Sequence, residues 1–219
     1  VITDFTNGWG VKTTVTYESM LDNSVVISNV VPETIIDTFS PLGPMTVVKK
    51  VESDSHTDGS RLSVSYRYGG MLLHREGLGA LGFRQLETTD AQSQVVTTTT
   101  FKQSFPYTGM PLTTVQTVGS DTLSSATNVL GQLVTSGNGG RFVFIDEVTE
   151  IQNQIGTDGS PRLLSNTVTD NDYDKWGNLT TSSVNIMGGS SSLHSSDITN
   201  SYGAADSFSQ INGRMLSSN

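Results

Sequence analysis

Apolar and polar residues alternate with a period of two along much of this chain. Val11, Val15 and Tyr17 share one face with Thr13, and the other face carries Lys12, Thr14 and Thr16. The stretch Arg61–Tyr68 alternates in the same way. This is the period of a half-buried strand, and turn signals separate such runs at intervals of roughly 8–12 residues. We find no amphipathic helix pattern. The sequence therefore predicts an all-β fold.

Glycine, asparagine, aspartate and proline divide the pattern into segments. Residues 24–31 form a β-rich run, whereas Pro32, Pro41 and Pro44 indicate a segment that cannot be a central strand. Residues 122–135 could be helix or strand, and Gly131 with the Thr and Ser content favours strand. Turns are predicted at residues 58–59, 90–93, 119–121, 137–140 and 158–159.

Composition makes the predicted sheet a thin one. At 219 residues the chain is long enough for one large domain or two small ones. Only 34% of the residues are hydrophobic and 15% are charged, and much of the remainder is Thr, Ser, Gly, Asn and Gln. Abundant Val, Ile and Thr suit a pleated, half-buried surface rather than disorder. We therefore expect a broad sheet with much wetted surface instead of a thick core.

Charge and cysteine content exclude several classes of function. A net charge of −9 argues against binding to nucleic acid or anionic membrane, both of which need a cationic surface. The chain has no cysteine, which excludes disulfides, thiolate metal sites and a cysteine nucleophile. No apolar run approaches the roughly 20 residues that span a bilayer. Because Val1 is not an initiator methionine and no signal peptide follows, we expect a piece of a longer secreted protein.

The stretch from Tyr66 to Tyr107 organises the prediction. It contains a formal GxGxxG at Gly77, Gly79 and Gly82. A dinucleotide site would need a helix after this motif, and the β-like run that follows Phe83 supplies none. We therefore interpret the glycines as a structural bend with positive φ, a bulge, or a close approach of another backbone. Substitution of Gly79 or Gly82 by valine is expected to damage folding.

Aromatic residues flank this bend and recur near turns. Such side chains either stack on sugars or form cross-strand pairs that hold strand register, and sheet pairing is their more usual work. The residues in question are Trp9, Tyr66, Tyr68, Phe83, Phe101, Phe105, Tyr107 and Trp176.

Three aspartates imitate the start of a calcium loop. Asp170, Asp172 and Asp174 have the spacing of its first ligands. The loop also needs glycine at its sixth position and glutamate at its twelfth, where Lys175 and Thr181 stand instead. A solvated turn is the better interpretation.

Histidines and acids give little support for catalysis. His56 and His194 lie in polar, turn-like segments, and neither they nor His74 has a partner at metal-ligand spacing. A structural histidine is the simpler interpretation for His74, beside the bend. Clustered carboxylates could perform glycosidase chemistry, but exposed acids along a strand explain them more simply. Those acids are Asp146, Glu147 and Glu150.

Several segments, in one consistent order, resemble a known family. Tyr173–Leu179 is similar to a YD repeat, the short motif of Rhs proteins, teneurins and bacterial Tc toxins. Residues 6–17 and three later segments resemble the middle region of SpvB-like and Tc toxin B-component proteins, and residues 199–214 resemble a further repeat unit. The motif residues are Tyr66, Tyr68, Gly77, Gly79, Gly82, Phe83, Phe105, Pro106, Tyr107, Tyr173, Asp174 and Gly177.

The resemblance implies an extended antiparallel sheet of long hairpins in the wall of a hollow β-shell. It divides the chain into a SpvB/Tc-B middle-like region, residues 1–120, and YD-repeat-like hairpins, residues 121–219, of one continuous shell. In that family the shell encloses a C-terminal toxic domain. Leu78 departs from the family's Arg or Gly before Gly79, and residues 121–159 carry no motif, so strand register there is left open.

The implied function is structural, in a secreted bacterial toxin. The implied partners are the other shell segments of the same polypeptide, the enclosed toxin domain and a Tc A-type translocation component. No catalytic residue, cofactor or metal ligand is implied. Exposed strand edges are expected to pair with another copy. Two alternatives stay open: a self-contained extracellular β-sandwich that binds carbohydrate or acts as an adhesin, and a β-rich hydrolase that uses the acids near Asp146.

Overall fold

All regular secondary structure in the computed structural model is β-strand, over the residues that the structure describes: 2–41, 43, 45–55, 60–134, 139–203 and 215–219. The predicted all-β fold is confirmed. Among the described residues, no helix has the length and apolar character needed to cross a membrane. The strands are β1 (Asp4–Thr6), β2 (Lys12–Ser19), β3 (Thr38–Phe39), β4 (Thr46–Asp54), β5 (Arg61–Gly69), β6 (Leu72–His74), β7 (Gly79–Gly82), β8 (Gln85–Asp90), β9 (Val95–Phe101), β10 (Pro111–Val118), β11 (Asp121–Val134), β12 (Arg141–Ile155), β13 (Pro161–Tyr173), β14 (Leu179–Gly188), β15 (Ser191–Tyr202) and β16 (Met215–Ser218).

The chain divides into two compact units, Val1–Thr122 and Leu123–Asn219. In the first unit the strand order is β1-β2-β4-β5-β8-β9-β10, and β3-β6-β7 form a separate small sheet. Neighbouring strands of both sheets pair antiparallel. The second unit is a run of hairpins in which β11 to β16 pair in chain order, again antiparallel. The regions predicted at residues 1–120 and 121–219 stay a prediction.

Threonine-rich strands form because β-branched side chains suit the pleated surface. β9 reads Val-Val-Thr-Thr-Thr-Thr-Phe. Its hydroxyls pair across to β10, with Thr99 Oγ1 3.3 Å from Thr114 Oγ1 and Thr100 Oγ1 2.6 Å from Thr113 Oγ1. Cross-strand threonine pairs of this kind stabilise a sheet without apolar burial.

The buried apolar core is small and lies in the first unit. Among the described residues it consists of Val25, Ile27, Val47, Leu72 and Leu81. The strands of the second unit are 10 to 15 residues long from β11 to β15, yet their described residues add no side chain to this core. These strands therefore form a single layer, and the described part of this unit lacks the second packed sheet that a β-sandwich needs.

Residues 24–31 correct one sequence expectation. They form no strand, and their only ladder contact is an isolated parallel bridge between Val26 and Tyr68. Ile27 N donates to Tyr68 O and Tyr68 N donates to Val25 O, each at 2.8 Å. The β-branched side chains of Val25 and Ile27 are buried, but the backbone of this segment does not form a ladder with a neighbouring strand.

Three of the five predicted turns are present. Turns lie at residues 91–93, 119–120 and 157–158, within or beside three of the predicted segments. Residues 122–134 are strand, which agrees with the β interpretation of that ambiguous region. Residues 58–59 and 137–138 lie outside the described residues.

Candidate functional site

The glycine bend is the hairpin of β6 and β7. Gly77, Gly79 and Gly82 all have positive φ, at 91°, 71° and 80°. Gly79 pairs with His74 and Gly82 with Leu72, and the chain continues into strand β8. Because a strand follows where a dinucleotide site needs a helix N-terminus, this geometry offers no phosphate cradle.

Close approach of the chain occurs at other glycines than those of the bend. A Cβ added at Gly77, Gly79 or Gly82 would meet nothing within 4 Å, so the close-approach interpretation was wrong for them. A Cβ at Gly70 would instead lie 2.7 Å from Arg84 Cβ, and Gly70 also has a φ of 66°. The glycines that stand out in the sequence are those of the bend. The structure places close contacts at other glycines, among them Gly70, two residues after Tyr68.

Gln103 is a buried polar residue that joins three segments, and no signal in the sequence pointed to it. Its side chain is fully buried. Nε2 donates to the carbonyl oxygens of Gly70 and Gly82, at 2.8 Å each, and Oε1 accepts from Glu33 N at 3.0 Å. One amide thus joins the segment before β3, the β5–β6 connection and the end of β7. No local motif could have identified it, because its partners are 21 to 70 residues away in the chain.

Glu33, whose backbone N–H binds Gln103, also makes charged contacts through its side chain. Its Oε1 accepts from Arg84 Nη1 at 2.9 Å and lies 3.3 Å from Lys102 Nζ, while Oε2 accepts from Ser104 N at 3.1 Å. Arg84 Nη1 also donates to Phe101 O. Partial burial favours the neutral acid, but the hydrogen bond from Ser104 and the Lys102 ammonium outweigh it and hold the pKa of Glu33 below 4.5. The carboxylate therefore stays ionised and fixes this joint through mildly acidic pH.

The aromatic residues of the bend divide into a packed group and an exposed group. Tyr68 and Phe83 form a tilted ring pair with centroids 4.8 Å apart, and the Tyr68 hydroxyl donates to Val48 O at 2.9 Å. Tyr66 stands opposite Thr88 in the ladder. Phe105, by contrast, is 65% exposed in the β9–β10 loop.

That loop contains a cis Phe105–Pro106 bond. It closes with Tyr107 N donating to Ser104 O at 3.0 Å and Met110 N donating to Tyr107 O at 2.9 Å. The motif residues Phe105, Pro106 and Tyr107 thus form a loop rather than a cross-strand pair.

Asp174 organises the turn between β13 and β14. Its Oδ1 accepts from Trp176 N at 2.8 Å and from Asn178 N at 3.0 Å, and Oδ2 accepts from Asn178 Nδ2 at 2.9 Å. Gly177 completes the turn, with a φ of 83° and its N donating to Asp174 O at 3.0 Å. An aspartate that bonds its own following backbone is a turn-forming residue. Its oxygens serve the hairpin rather than an ion.

A second turn has the same hydrogen bonds. Asn7 Oδ1 accepts from Trp9 N at 2.9 Å and Val11 N at 3.1 Å, and Gly10 N donates to Asn7 O at 3.0 Å. Asn7 N donates to Val11 O just as Asp174 N donates to Asn178 O. Gly10 has a φ of 79°. Residues 7–11 and 174–178 therefore form one type of turn, which the shared pattern Asx-x-Trp-Gly could have revealed in the sequence.

Tyr173 belongs to an aromatic cluster on the second unit's sheet. Its ring centroid lies 4.4 Å from that of Phe144 and 5.6 Å from that of Phe142. Gly131 pairs with Phe144 across β11 and β12, and a Cβ there would come within 2.5 Å of the ring. A Cβ on Gly177 would lie 3.4 Å from the Phe142 ring. The tyrosine of the YD-like segment thus packs on rings of the neighbouring strand β12.

Replacing Asp174 with alanine should destabilise the β13–β14 turn by about 1 kcal/mol, because three hydrogen bonds are lost at a partly solvated site. Amide exchange of Trp176 and Asn178 should then accelerate roughly fivefold. As a control, Asp172→Ala removes an exposed acid that bonds Thr181 and should leave these amides unchanged.

The pH dependence follows from the same contacts. Desolvation raises the pKa of Asp174, but the hydrogen bonds from Asn178 and Trp176 prevail and hold it below 3.8. Because the folded-state pKa is lowered, the stabilisation is complete at neutral pH and is lost as pH falls through that pKa. Protection that is the same in wild type and Asp174→Ala at neutral pH would contradict this role.

Glu147 and Glu150 do not converge. Glu147 stands opposite Val129 and Asp170, whereas Glu150 stands opposite Ala126 and Thr167. These two acids are three residues apart on a regular stretch of strand, so they lie on opposite faces of the sheet. Asp146 is the extra residue where the register shifts. Glu147 and Glu150 therefore do not form a pair of carboxylates that faces one substrate.

The remaining candidate ligands are separated as well. His74 Nδ1 accepts from Glu76 N at 3.1 Å, and His194 is exposed opposite Ile186 in β14. His56 lies outside the described residues. Asp172 Oδ2 accepts from Thr181 Oγ1 at 2.6 Å. Within the described ranges, no group of three His, Asp or Glu side chains is placed to hold a metal ion.

The fold and its joints define a class of protein: an all-β chain of long antiparallel hairpins, held by asparagine or aspartate turns and by packed glycines. Residues 1–109 match the family model of the insecticide toxin TcdB middle/N-terminal region. The chain therefore carries a Tc toxin B-component middle/N-terminal region, and this confirms the family that the sequence motifs indicated. No curated protein sequence matches the chain.

Two solved structures share the fold. The crystal structure of TcdB2-TccC3 superimposes with a TM-score of 0.65 at 10% identity, over 97% of this chain and 15% of the matched chain. The crystal structure of TcdB2-TccC3-Cdc42 gives a TM-score of 0.64 at 10% identity, over 97% of this chain and 14% of the other. At this identity the likeness establishes the fold alone. The chain spans about one seventh of the matched chains' length.

Proposed function

We propose that this chain is a wall segment of a hollow β-shell in a secreted bacterial toxin of the Tc B-component type, and that the shell encloses a C-terminal toxic domain. The single-layer sheet of the second unit carries the proposal. Its strands are long, and its described residues contribute no buried apolar core. Such a layer separates two spaces rather than enclosing a ligand site within itself. Family membership and the fold shared with TcdB2-TccC3 support the same function.

The proposed mechanism is containment by geometry and not catalysis. Alternating side chains place one set of residues on each face of the wall, so that its lining and its exterior are specified by the same strands. The proposed partners are the other shell segments of the polypeptide, the enclosed toxic domain and a Tc A-type translocation component. Strand edges such as that of β1 remain available for pairing with further strands.

Protease protection tests the proposed containment. In the full-length polypeptide, produced together with the protein that bears the toxic domain, that domain should resist a protease which digests the same domain in isolation. Gly131→Val should open the wall, because its side chain would collide with the Phe144 ring. Val129→Leu is the control, since Val129 lies two residues away on the same strand and is 48% exposed.

The outcome separates containment from other functions. Protection that weakens at least tenfold in Gly131→Val and not in Val129→Leu supports the wall function. A toxic domain digested equally fast with and without the shell would refute containment.

A further inference from the structure

The strand register of the second unit places four carboxylates on one side of its sheet. Residues directly opposite each other in a ladder point to the same side, and side chains alternate along each strand. Glu147 stands opposite Asp170. Asp170 in turn stands opposite Ser183, and Ser183 stands opposite Asp197. Asp172 lies two residues after Asp170 and shares its side. We call the side with these four carboxylates the acidic face.

The opposite side of the same strands, which we call the low-charge face, has one carboxylate, Glu150, and one imidazole, His194, in the central register. Here the central register means the stretch in which β12 to β15 pair without a shift. A hydrogen bond on this side agrees with the assignment, since Ser182 Oγ donates to Asn171 Oδ1 at 2.8 Å. Both faces carry β-branched side chains, so charge is what distinguishes them. The central register comprises residues 147–152, 165–172, 181–186 and 194–199.

No basic side chain balances the acidic face. The central register contains neither lysine nor arginine. Among the residues that the structure describes, none of the four carboxylates forms a salt bridge. Glu147 and Asp170 stand directly opposite each other, and like charges in that position destabilise a strand pair. Bulk water and salt screen this repulsion, whereas an enclosed space filled with protein would strengthen it. The acidic face is therefore suited to open solvent.

The two faces also differ in exposure on β13 and β14, which have a neighbouring strand on each side. On the low-charge face, every central-register position of these two strands is partly buried. Side chains crowd together on the concave side of a curved sheet and spread apart on its convex side, so the low-charge face has the character of the concave side. The exposed positions of the acidic face on the same strands are Asp170, Asp172, Ser183 and Asn185.

We propose that the acidic face is the exterior of the shell wall and that the low-charge face lines the enclosed space. This inference rests on the proposed function and specifies which side chains the enclosed domain meets. The lining of a closed wall is its concave side, and the carboxylates are least costly where bulk water reaches them. The enclosed domain then contacts methyl groups, hydroxyls and amides, which hold a chain of either net charge. The residues of this lining are Val148, Thr167, Thr169, Asn171, Ser182, Val184, Ile186, Ser196 and Ile198.

Thiol labelling tests the orientation with two adjacent serines of β15. Ser195 stands opposite Asn185 on the acidic face, and Ser196 stands opposite Val184 on the low-charge face. Ser195→Cys and Ser196→Cys are made in the full-length polypeptide, produced together with the protein that bears the toxic domain, and the wild type gives the background. Each thiol is treated with N-ethylmaleimide and with a polyethylene-glycol maleimide too large to pass the wall. The small reagent corrects for local burial, and urea-unfolded protein gives the reference for both rates.

The ratio of the large-reagent rate to the small-reagent rate decides the orientation. For Ser195→Cys this ratio should equal that of unfolded protein, and for Ser196→Cys it should be at least tenfold lower. A low ratio at Ser195→Cys with an unfolded-like ratio at Ser196→Cys would overturn the orientation but leave the wall standing. Unfolded-like ratios at both positions would refute the wall itself, and the orientation with it. Ser183→Cys and Ser182→Cys repeat the comparison on β14.

Neutralising the acids tests the opposite arrangement, in which carboxylates line the space and hold a basic cargo. The double variant Asp170→Asn, Asp197→Asn should protect the toxic domain from protease as well as the wild type does. Both residues are exposed, and their removal relieves repulsion, so the variant is expected to fold. Protection that weakens at least tenfold would show that these carboxylates contact the cargo and would overturn the proposal.

Discussion

Gln103→Ala should lower the free energy of unfolding of the first unit by about 3–4 kcal/mol, because removal of a buried amide breaks three hydrogen bonds and opens a cavity. The carbonyls of Gly70 and Gly82 each lose one donor and the N–H of Glu33 loses its acceptor, while Gly70 O keeps its bond from Arg84 N at 3.1 Å. The loss also frees the segment that Glu33 fixes to the β9–β10 loop. Urea denaturation followed by far-UV circular dichroism measures the change.

Gln92→Ala is the matched control for this prediction. Gln92 makes the same kinds of bond, accepting from Ser63 N at 3.1 Å and donating to Arg61 O at 2.9 Å, but it is exposed. Water replaces its partners, so the expected loss is below about 1 kcal/mol. Equal losses in the two variants would show that burial of Gln103 does not govern its contribution.

Gly70→Ala should destabilise the first unit by about 2–3 kcal/mol, because the new Cβ is strained at positive φ and also meets its neighbours. The Cβ would lie 2.7 Å from Arg84 Cβ and 3.1 Å from Val30 Cγ1. Arg84 cannot move freely, since it bonds Glu33 and Phe101 O. Thermal or urea unfolding of purified variants measures the loss.

Gly77→Ala separates the two causes. Gly77 also has positive φ, at 91°, but a Cβ there meets nothing within 4 Å. Only conformational strain remains, so the expected cost is about 1 kcal/mol. Gly79 and Gly82 have the same open surroundings, and their valine variants should be damaging through strain alone. If Gly70→Ala cost no more than Gly77→Ala, the packing argument would fail.

Much of the fold could be predicted from the sequence because its signals are local. Alternation over residues 61–68 and the β-branched run at 95–101 correspond to β5 and β9. Residues 24–31 show the limit of this reasoning. Their side chains favour strand, but a strand also needs a neighbour that offers its backbone, and only one bridge to Tyr68 forms.

The candidate site was less accessible to sequence reasoning. The YD-like motif led to Tyr173 and Asp174, but not to the rings of Phe142 and Phe144 on which Tyr173 packs. Gln103 lies in a segment without any motif, and its importance comes from burial. The match between the turns at Asn7 and Asp174 was present in the sequence as Asx-x-Trp-Gly, although 167 residues separate the two turns.

The sequence by itself determined the all-β class, the turn chemistry and the toxin family. These depend on backbone preference, side-chain alternation and short motifs, all of which act over a few residues. Only the tertiary structure decided which glycine is packed, that Gln103 is the buried joint, and that Glu33 is held ionised by groups about 50 to 70 residues away. Burial and pairing arise when strand register brings distant segments together, and no local pattern specifies which distant segments meet.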